Sequence, residues 1–253
     1  MSKTVFITGA TSGIGKATAY ALAEEGYNLI LNGRRQEKLH ALQEEISKQY
    51  QVKVEVLCFD VSDKASVIKG LKKAALFSDK IDILINNAGL ALELLPIDEG
   101  FIDDWEVMIN TNVKGLLYVT KYTLPLMLNS PNPHIINIGS IAGKETYPKG
   151  NIYCATKHAV ESLSKAMRMD LLKHNIKVSQ VCPGATETEF SEVRFKNDKE
   201  KAKNVYNGFN PLKGEDIAHI IRFIIKLPAH VNVNDILIMP TQQASATLFN
   251  REV

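Results

Sequence analysis

Short runs of β-branched and aliphatic residues alternate with longer amphipathic segments from one end of the chain to the other. Apolar runs separated by helical patterns are typical of parallel strands that are buried on both faces. Because the crossovers between parallel strands are right-handed, the alternation predicts an α/β fold with a doubly wound parallel sheet and helices on both faces. The predicted strands are residues 4–8, 28–31, 53–59, 81–85, 134–140, 177–181 and 236–239, and the predicted helices are 14–25, 36–49, 63–77, 103–128, 152–173 and 214–226.

Length and charge narrow the class of protein. A chain of 253 residues is long enough for one large α/β domain, and no linker-like run divides it, so we expect a single domain spanning residues 1–253. No apolar run approaches the ~20 residues needed to span a bilayer. The net charge of +2 gives no reason to expect a nucleic acid or an anionic membrane as a partner.

The cysteines and histidines show no pattern of a disulfide framework or a metal site. Cys58, Cys154 and Cys182 are widely spaced and odd in number, which fits the reducing cytoplasm. The six histidines lack the spacing of metal ligands. We therefore expect a cytoplasmic protein without a bound metal.

One stretch, residues 186–211, is rich in charge and has no clean helical or strand period. It follows the sixth predicted strand, and doubly wound folds bind their ligands in the crevice beyond the carboxyl ends of the strands. We predict that residues 186–211 form a mobile substrate lid. The alternative is a plain insertion on the surface.

A glycine-rich turn joins the first predicted strand to the first helix. Glycines at such a turn allow a pyrophosphate to approach the backbone and to sit on the helix N-terminus. The spacing Gly-x-x-x-Gly-x-Gly differs from the standard G-x-G-x-x-G pattern. Its place in an N-terminal βαβ unit nevertheless predicts a nucleotide site. The predicted cofactor-binding residues of this turn are Gly9, Thr11, Ser12, Gly13, Ile14 and Gly15.

Two arginines, Arg34 and Arg35, follow the second strand, where an NAD-preferring site would carry an Asp or Glu for the ribose 2′-hydroxyl. No acidic residue lies between Gly26 and Gln36. Cations at the start of a helix are disfavoured by the macrodipole unless an anion docks beside them. A 2′-phosphate is the obvious anion, so the pair favours NADP; the alternative is two solvated arginines.

The ends of the third and fourth strands carry further candidates for cofactor binding. Asp60 and Val61 can reach an adenine edge, although Asp60 could equally be a helix cap or turn residue. Asn87, Ala88 and Gly89 are small or amide residues that let the backbone approach the cofactor, or they form a polar turn.

Tyr153 and Lys157 are four residues apart, so on a helix they lie on one face, one turn from each other. Asn151 is the predicted N-cap of that helix. Lowering a tyrosine pKa from ~10 by ~3 units needs about 4 kcal/mol. An ammonium ~4 Å away, at an effective dielectric of ~20, supplies about that much. The pair is therefore predicted to be a general acid/base, unless it is an ordinary surface pair.

Two polar residues could assist this tyrosine. Ser140 closes the fifth strand, where its hydroxyl could hold the substrate oxygen, or it could simply be a turn residue. Asn112 lies in a predicted helix beside poor helix formers, a valine and then Gly115. A local distortion there could free a backbone carbonyl to hold a water against Lys157. The alternative is an ordinary buried amide.

Taken together, these motifs resemble the short-chain dehydrogenase/reductase family, in order and over essentially the whole chain. The resemblance rests on Thr8-Gly-x-x-x-Gly-Ile-Gly15, Asn86-Asn-Ala-Gly89, Asn112, Ser140, Tyr153-x-x-x-Lys157 and Pro183-Gly184.

The resemblance implies a Rossmann-type sheet of seven strands and hydride transfer between a nicotinamide and an alcohol or carbonyl carbon. It makes Tyr153 the acid/base and gives Lys157 two roles, lowering the pKa of the tyrosine and binding the nicotinamide ribose. Ser140 would hold the substrate oxygen, and Asn112 would support a proton relay through water. The residues implied to pack on the nicotinamide end are Pro183, Gly184, Thr186 and Thr188. Subunits of the family often pair through the helices near 103–128 and 152–173, which implies a homodimer or homotetramer.

Three stretches beyond the sixth strand, residues 188–195, 227–232 and 239–241, resemble a narrower group, the NADP-dependent dehydrogenases of short 3-hydroxy acids. Their substrates include serine, allo-threonine and 3-hydroxyisobutyrate, and they reduce malonic semialdehyde in reverse. A carboxylate substrate needs a cation, ideally a bidentate one. Arg194 on the predicted lid is the candidate, Lys149 is a weaker one, and a helix-surface arginine is the alternative.

Two other functions stay open at this point. The same chemistry could act on 3-oxoacyl thioesters or bulky ketones, which need a wide apolar mouth or a basic docking patch. A non-catalytic NADP-binding scaffold would be expected to lack one of four residues. All four are present, namely Asn112, Ser140, Tyr153 and Lys157.

Overall fold

Seven parallel strands form the central sheet of the computed structural model, which describes residues 2–252. These strands are β1 (Thr4–Ile7), β2 (Asn28–Gly33), β3 (Val54–Cys58), β4 (Ile83–Asn86), β5 (His134–Ile138), β6 (Lys177–Pro183) and β9 (Asp235–Ile238). The order across the sheet is β3-β2-β1-β4-β5-β6-β9, so the winding reverses between β1 and β4. The predicted single α/β domain with a seven-stranded, doubly wound parallel sheet is confirmed.

Helices cover both faces of the sheet and enclose two apolar cores. The long helices are α1 (Gly13–Glu24), α2 (Gln36–Gln49), α3 (Lys64–Phe77), α5 (Leu116–Met127), α6 (Asn151–Asp170) and α9 (Gly214–Lys226). One core contains Leu22 of α1, Leu39 of α2 and Ile221 of α9. The other contains Val67 of α3 and Val160 of α6. Because apolar side chains meet the sheet from both sides, the inner strands β1, β4 and β5 are buried along their whole length.

The predicted helix 103–128 is divided by a distortion. Helix α4 (Ile102–Ile109) passes into a π-helical turn, Asn110–Gly115, and then into α5. Gly115 permits close packing here, because a Cβ on it would lie 2.8 Å from Cγ2 of Val61. The predicted local distortion around Asn112 is therefore present, and such π-helical turns are frequent at functional sites.

The stretch predicted as a lid is a closed excursion. Strand β7 (Thr186–Glu187) leads into two short helices, α7 (Phe190–Arg194) and α8 (Lys199–Asn204). Strand β8 (Leu212–Lys213) then pairs with β7 in parallel. The chain therefore returns beside the point where it left.

The N-terminal end of α6 differs from the prediction. Asn151 is the first residue of α6, and the N-cap is Gly150, so the predicted cap was one residue late. The Asn151 amide instead donates a 2.9 Å hydrogen bond to the carbonyl of Leu95.

Within residues 2–252, no helix combines the length and the apolar character needed to cross a membrane.

A buried histidine at the start of β5 makes the stability of this fold depend on pH. Nε2 of His134 lies 2.8 Å from the Ser179 hydroxyl, and burial lowers the pKa of His134 from 6.5 to about 3. The folded state therefore does not take up the proton that the unfolded chain binds below pH 6.5. We expect the free energy of unfolding to be unaffected by this group above that pH and to fall by about 1.4 kcal/mol per pH unit below it.

Urea unfolding at pH 7 and pH 5 tests this expectation. The His134→Gln variant, which cannot ionise, should lose less stability between the two pH values than the wild type. An equal loss in both proteins would contradict the assignment.

Candidate active site

A cavity of about 610 Å³ opens at the carboxyl ends of the central strands, at the point where the winding reverses. Nearly all of the predicted site residues line it. They are Gly9, Thr11, Ser12, Gly13, Ile14, Arg34, Arg35, Asp60, Val61, Asn87, Ala88, Gly89, Ser140, Tyr153, Lys157, Pro183, Gly184, Thr186, Thr188 and Arg194. The fold therefore gathers residues from eight separate segments into one cleft, as expected for a doubly wound sheet.

Two predicted residues, Gly15 and Asn112, lie behind the wall. A Cβ on Gly15 would be 2.3 Å from the Gly9 carbonyl oxygen, so this glycine lets helix and loop pack together. Asn112 is buried, and its side chain exchanges hydrogen bonds of 2.9 and 2.8 Å with the backbone N–H and carbonyl of Leu90. The Asn112 amide thus supports the segment next to Gly89. Its side chain fits the alternative interpretation given above, an ordinary buried amide.

The glycine-rich turn forms a cradle that fits a pyrophosphate. Gly9 and Gly13 have φ angles of +66° and +50°, which side chains rarely adopt. The Asn87 amide donates to the carbonyl oxygens of Thr8 and Gly9 at 2.9 and 3.0 Å, which fixes the turn against the end of β4. Helix α1 has no side-chain hydrogen bond at its N-cap, Ser12, and no acidic residue in its first turn. Its backbone N–H groups are therefore available to an anion.

The two arginines of the predicted 2′-phosphate site differ in their contacts. Arg34 is 61% exposed, and its guanidinium lies 3.5 Å from the Asp60 carboxylate. Arg35 lies over the glycine-rich turn, where its Nη2 donates to the hydroxyls of Thr11 at 2.8 Å and Ser12 at 3.0 Å. Its Nη1 pairs with Glu189 at 2.6 Å. Both arginines thus face the cleft with carboxylates beside them, which the sequence did not predict.

Asp60 has the contacts of a turn residue. Its Oδ1 accepts 2.8 Å hydrogen bonds from the backbone N–H and the hydroxyl of Ser62. Its Oδ2 faces Arg34. Contact of Asp60 with an adenine edge stays a prediction.

Tyr153, Lys157 and Ser140 come together at the centre of the cleft. Lys157 is 7% exposed, and its Nζ donates a 2.9 Å hydrogen bond to the Ile138 carbonyl. The ammonium lies 5.9 Å from the centroid of the Tyr153 ring. Burial lowers the pKa of Lys157 to about 8, partly opposed by Cys182, so the ammonium form still predominates at neutral pH. The predicted adjacency of Tyr153 and Lys157 is therefore present in the folded chain.

The predicted direction of the Tyr153 pKa is wrong for this structure. Burial raises the pKa of Tyr153 above its usual value, because loss of hydration disfavours the phenolate. The Arg194 guanidinium and the nearby Ser140 hydroxyl act in the opposite direction but do not outweigh burial. Tyr153 is therefore a phenol at neutral pH, which suits it to donate a proton.

Arg194 lies on this tyrosine. Its guanidinium carbon is 5.1 Å from the centroid of the Tyr153 ring and 5.0 Å from that of Phe190. Nη2 donates a long, 3.4 Å hydrogen bond to the Tyr147 hydroxyl, whereas the buried Nε has no partner. No carboxylate within residues 2–252 approaches this guanidinium to 4.0 Å. Lys149, the weaker candidate, is an exposed residue on the rim with a φ angle of +66°.

The residues expected at the nicotinamide end occupy different parts of the cleft. Pro183 ends β6, and the Gly184 N–H donates to the Ile238 carbonyl at 2.7 Å. Thr188 lies against the glycine-rich turn, because a Cβ on Gly13 would be 2.9 Å from the Cβ of Thr188. The segment predicted as a lid therefore touches the turn expected to hold the pyrophosphate.

Several residues of the cleft were missed from the sequence. Tyr147 and Phe190 form part of the wall around Tyr153. Phe249 and Arg251 reach the same cavity from the tail of the chain, where Arg251 stacks on Phe249 at 5.0 Å. No spacing relates the tail to the strand ends, so only the folded chain brings them together.

Comparisons with known proteins identify the family of this chain. A sequence profile of the family described as short chain dehydrogenase matches residues 3–199. The chain is 44% identical over 248 residues to the NADP-dependent 3-hydroxy acid dehydrogenase of Schizosaccharomyces pombe, which covers 96% of this chain and 95% of the relative. It is 42% identical over 245 residues to sulfoacetaldehyde reductase 2 of Chromohalobacter salexigens, covering 96% of each.

A solved structure described as the closed form of serine dehydrogenase complexed with NADP+ superimposes with a TM-score of 0.91. It is 40% identical and covers 99% of this chain and 100% of the other. On the sequence match, the shared fold and the site described above, the chain belongs to the short-chain dehydrogenase family.

Proposed function

We propose that this protein is an NADP-dependent oxidoreductase that transfers a hydride between the nicotinamide and the hydroxyl-bearing carbon of a small 3-hydroxy acid. Serine, allo-threonine and 3-hydroxyisobutyrate are the expected substrates, with malonic semialdehyde in the reverse direction. One observation carries the choice of an acid: Arg194 presents a cation beside Tyr153, and no carboxylate of the described chain pairs with it. A substrate carboxylate supplies the missing partner and brings its hydroxyl carbon to the tyrosine.

The catalytic roles are assigned to four residues. Tyr153 donates a proton to the carbonyl oxygen in reduction and accepts it in oxidation, and Ser140 hydrogen-bonds to the same oxygen. Lys157 holds its ammonium beside the phenol and would bind the nicotinamide ribose. Asn112 contributes the backbone carbonyl of a π-helical turn, which is proposed to hold a water against Lys157. A bound nicotinamide would supply the hydride chemistry of the reaction, and its oxidised form would add a positive charge to the cleft.

The chain's own residues also account for the choice of NADP. The cradle of Gly9 and Gly13 at the start of α1 would hold the pyrophosphate. Arg34 and Arg35 would hold the 2′-phosphate, and a phosphate with two negative charges can displace the weak 3.5 Å contact between Arg34 and Asp60. The NADP dependence in the names of the relatives supports the same choice.

A second candidate is an aldehyde that carries a sulfonate. The relative named sulfoacetaldehyde reductase 2 is 42% identical to this chain, and a sulfonate, like a carboxylate, offers negatively charged oxygens to a guanidinium. Reduction of 3-oxoacyl thioesters is the remaining alternative. Its substrates carry no carboxylate at the reacting end, so they leave Arg194 without a partner.

A spectrophotometric panel with NADPH and NADH tests the proposal. We expect the highest kcat/KM with NADPH and malonic semialdehyde, or with NADP and a 3-hydroxy acid. Sulfoacetaldehyde should be the best competitor, and an acetoacetyl thioester should be poor. A thioester that is reduced faster than either anionic aldehyde would overturn the proposal.

The assembly of the protein stays a prediction. Exposed apolar side chains on the helices expected to pair support it, including Ile109, Leu117 and Met169, which are 40%, 38% and 70% exposed. Such a surface is typical of a contact between subunits.

A further inference from the structure

Glu189 lies at the junction between the lid and the part of the cleft expected to hold the cofactor phosphates. It directly precedes α7 and lies on the cavity wall. Its Oε2 pairs with Nη1 of Arg35 at 2.6 Å, and its Oε1 pairs with Nζ of Lys38 at 2.8 Å. Partial burial raises the pKa of Glu189, but hydrogen bonds from Lys38 and Arg35 outweigh it and lower the pKa overall. Glu189 is therefore a carboxylate at neutral pH.

Arg35 connects this carboxylate to the glycine-rich turn. One arm of its guanidinium holds Glu189, and the other donates to the hydroxyls of Thr11 and Ser12. The planar fork lets one arginine bind two groups at fixed positions. A lid residue and the phosphate cradle are thus joined through a single side chain.

The other end of α7 is fixed as well. The Arg194 carbonyl accepts a 2.8 Å hydrogen bond from the Glu93 N–H, and Nζ of Lys196 lies 2.8 Å from the Asp104 carboxylate. Between these ends, Phe190 and Arg194 rest on Tyr153. The helix therefore crosses the cleft as a strap that is attached on both sides.

We propose that Glu189 is a positioning residue that latches the lid over the cofactor cleft, so that NADPH leaves only after the ion pairs of Glu189 with Arg35 and Lys38 have broken. The proposal rests on the proposed function only for the identity of the cofactor. Lys38 does not line the cavity. The proposal therefore gives Lys38 an effect on cofactor release through its ion pair with Glu189.

The expected effect is moderate because the pairs are partly hydrated. The side chains of Glu189, Arg35 and Lys38 are 38%, 42% and 48% exposed. Ion pairs of this kind are individually weak, and two of them together account for a change of about three- to tenfold in a rate or equilibrium constant.

Stopped-flow release of NADPH measures the latch directly. The complex is mixed with a large excess of NADP at low ionic strength, and the decay of NADPH fluorescence is followed. We expect Glu189→Gln to release NADPH about three- to tenfold faster than the wild type. The matched control is Glu192→Gln, a neighbouring lid glutamate that is exposed and forms no ion pair within residues 2–252, and it should release at the wild-type rate.

Two further measurements separate a latch from a general loss of structure. At high salt the ratio between Glu189→Gln and wild type should approach one, because screening breaks the pairs in both proteins. Lys38→Gln should accelerate release in the wild-type background and have no further effect in the Glu189→Gln background. A merely structural role of Glu189 produces neither result.

Three outcomes overturn the latch: equal release by Glu189→Gln and Glu192→Gln, a ratio that persists at high salt, or an effect of Lys38→Gln that survives in the double variant. No substrate is present, so an error in the assigned hydroxy acid leaves the measurement unchanged. A wild-type protein that binds no NADPH would overturn the proposed function together with the latch.

Discussion

The Tyr153→Phe variant is expected to lose about 10³-fold in kcat while it still binds NADPH. General acid–base catalysis by a positioned side chain typically contributes ~10²–10⁴-fold, and phenylalanine keeps the ring while removing the only proton that the tyrosine exchanges. The ring packs against Phe190, with centroids 5.6 Å apart, so the variant should keep the shape of the cleft. Steady-state turnover and a fluorescence titration with NADPH measure the two quantities.

Tyr147→Phe is the matched control for this prediction. Tyr147 lines the same cavity and loses the same hydroxyl, but its contact is with Arg194 rather than with Lys157 and Ser140. Its kcat should stay within about tenfold of the wild type, since a single neutral hydrogen bond contributes ~0.5–1.5 kcal/mol. A Tyr153→Phe protein as active as Tyr147→Phe would remove Tyr153 from the chemistry.

The Arg194→Ala variant should show the second large effect, and it should be selective for charged substrates. Truncating one partner of a buried charge pair costs about 2–5 kcal/mol, which corresponds to a loss of roughly 30- to 5000-fold in kcat/KM. For a neutral aldehyde of similar size the loss should be less than about tenfold. Parallel assays of malonic semialdehyde and propanal measure this difference.

Lys149→Ala serves as the comparison for Arg194. Lys149 is a cation on the same cavity wall, but it is exposed and does not contact Tyr153 in the described structure. Its removal should change both assays by less than about threefold, because exposed charges contribute little. Equal losses for charged and neutral substrates in Arg194→Ala, or a selective loss in Lys149→Ala, would exclude Arg194 as the anchor.

The fold was predictable because its signals are local and repeated. Each strand is a short apolar run, each helix has its own period, and the order of the two determines the parallel sheet. The glycine-rich turn and the Tyr153–Lys157 spacing were readable for the same reason. Each motif spans only a few residues and adjoins a strand or helix whose place in the fold can be predicted.

The predictions that failed concern properties that depend on groups distant in sequence. The pKa of Tyr153 depends on its burial and on Arg194, which lies on the lid and not on the same helix. The sequence also gave no sign that Arg35 is held by Glu189, since 154 residues separate them. Spacing arguments describe neighbours on one helix or strand, whereas the field at a buried group is the sum over everything packed around it.

The pairing of β7 with β8 holds the two ends of the lid segment next to each other. Thr186 lies beside Leu212 and Glu187 beside Lys213, so the two ends of the excursion are held one strand apart whatever lies between them. Each doubling of the length of such a loop costs only about 0.6 kcal/mol in closure entropy. The length and charge of the segment between these two strands can therefore vary at little cost in closure entropy, and with them the groups that the segment places on Tyr153.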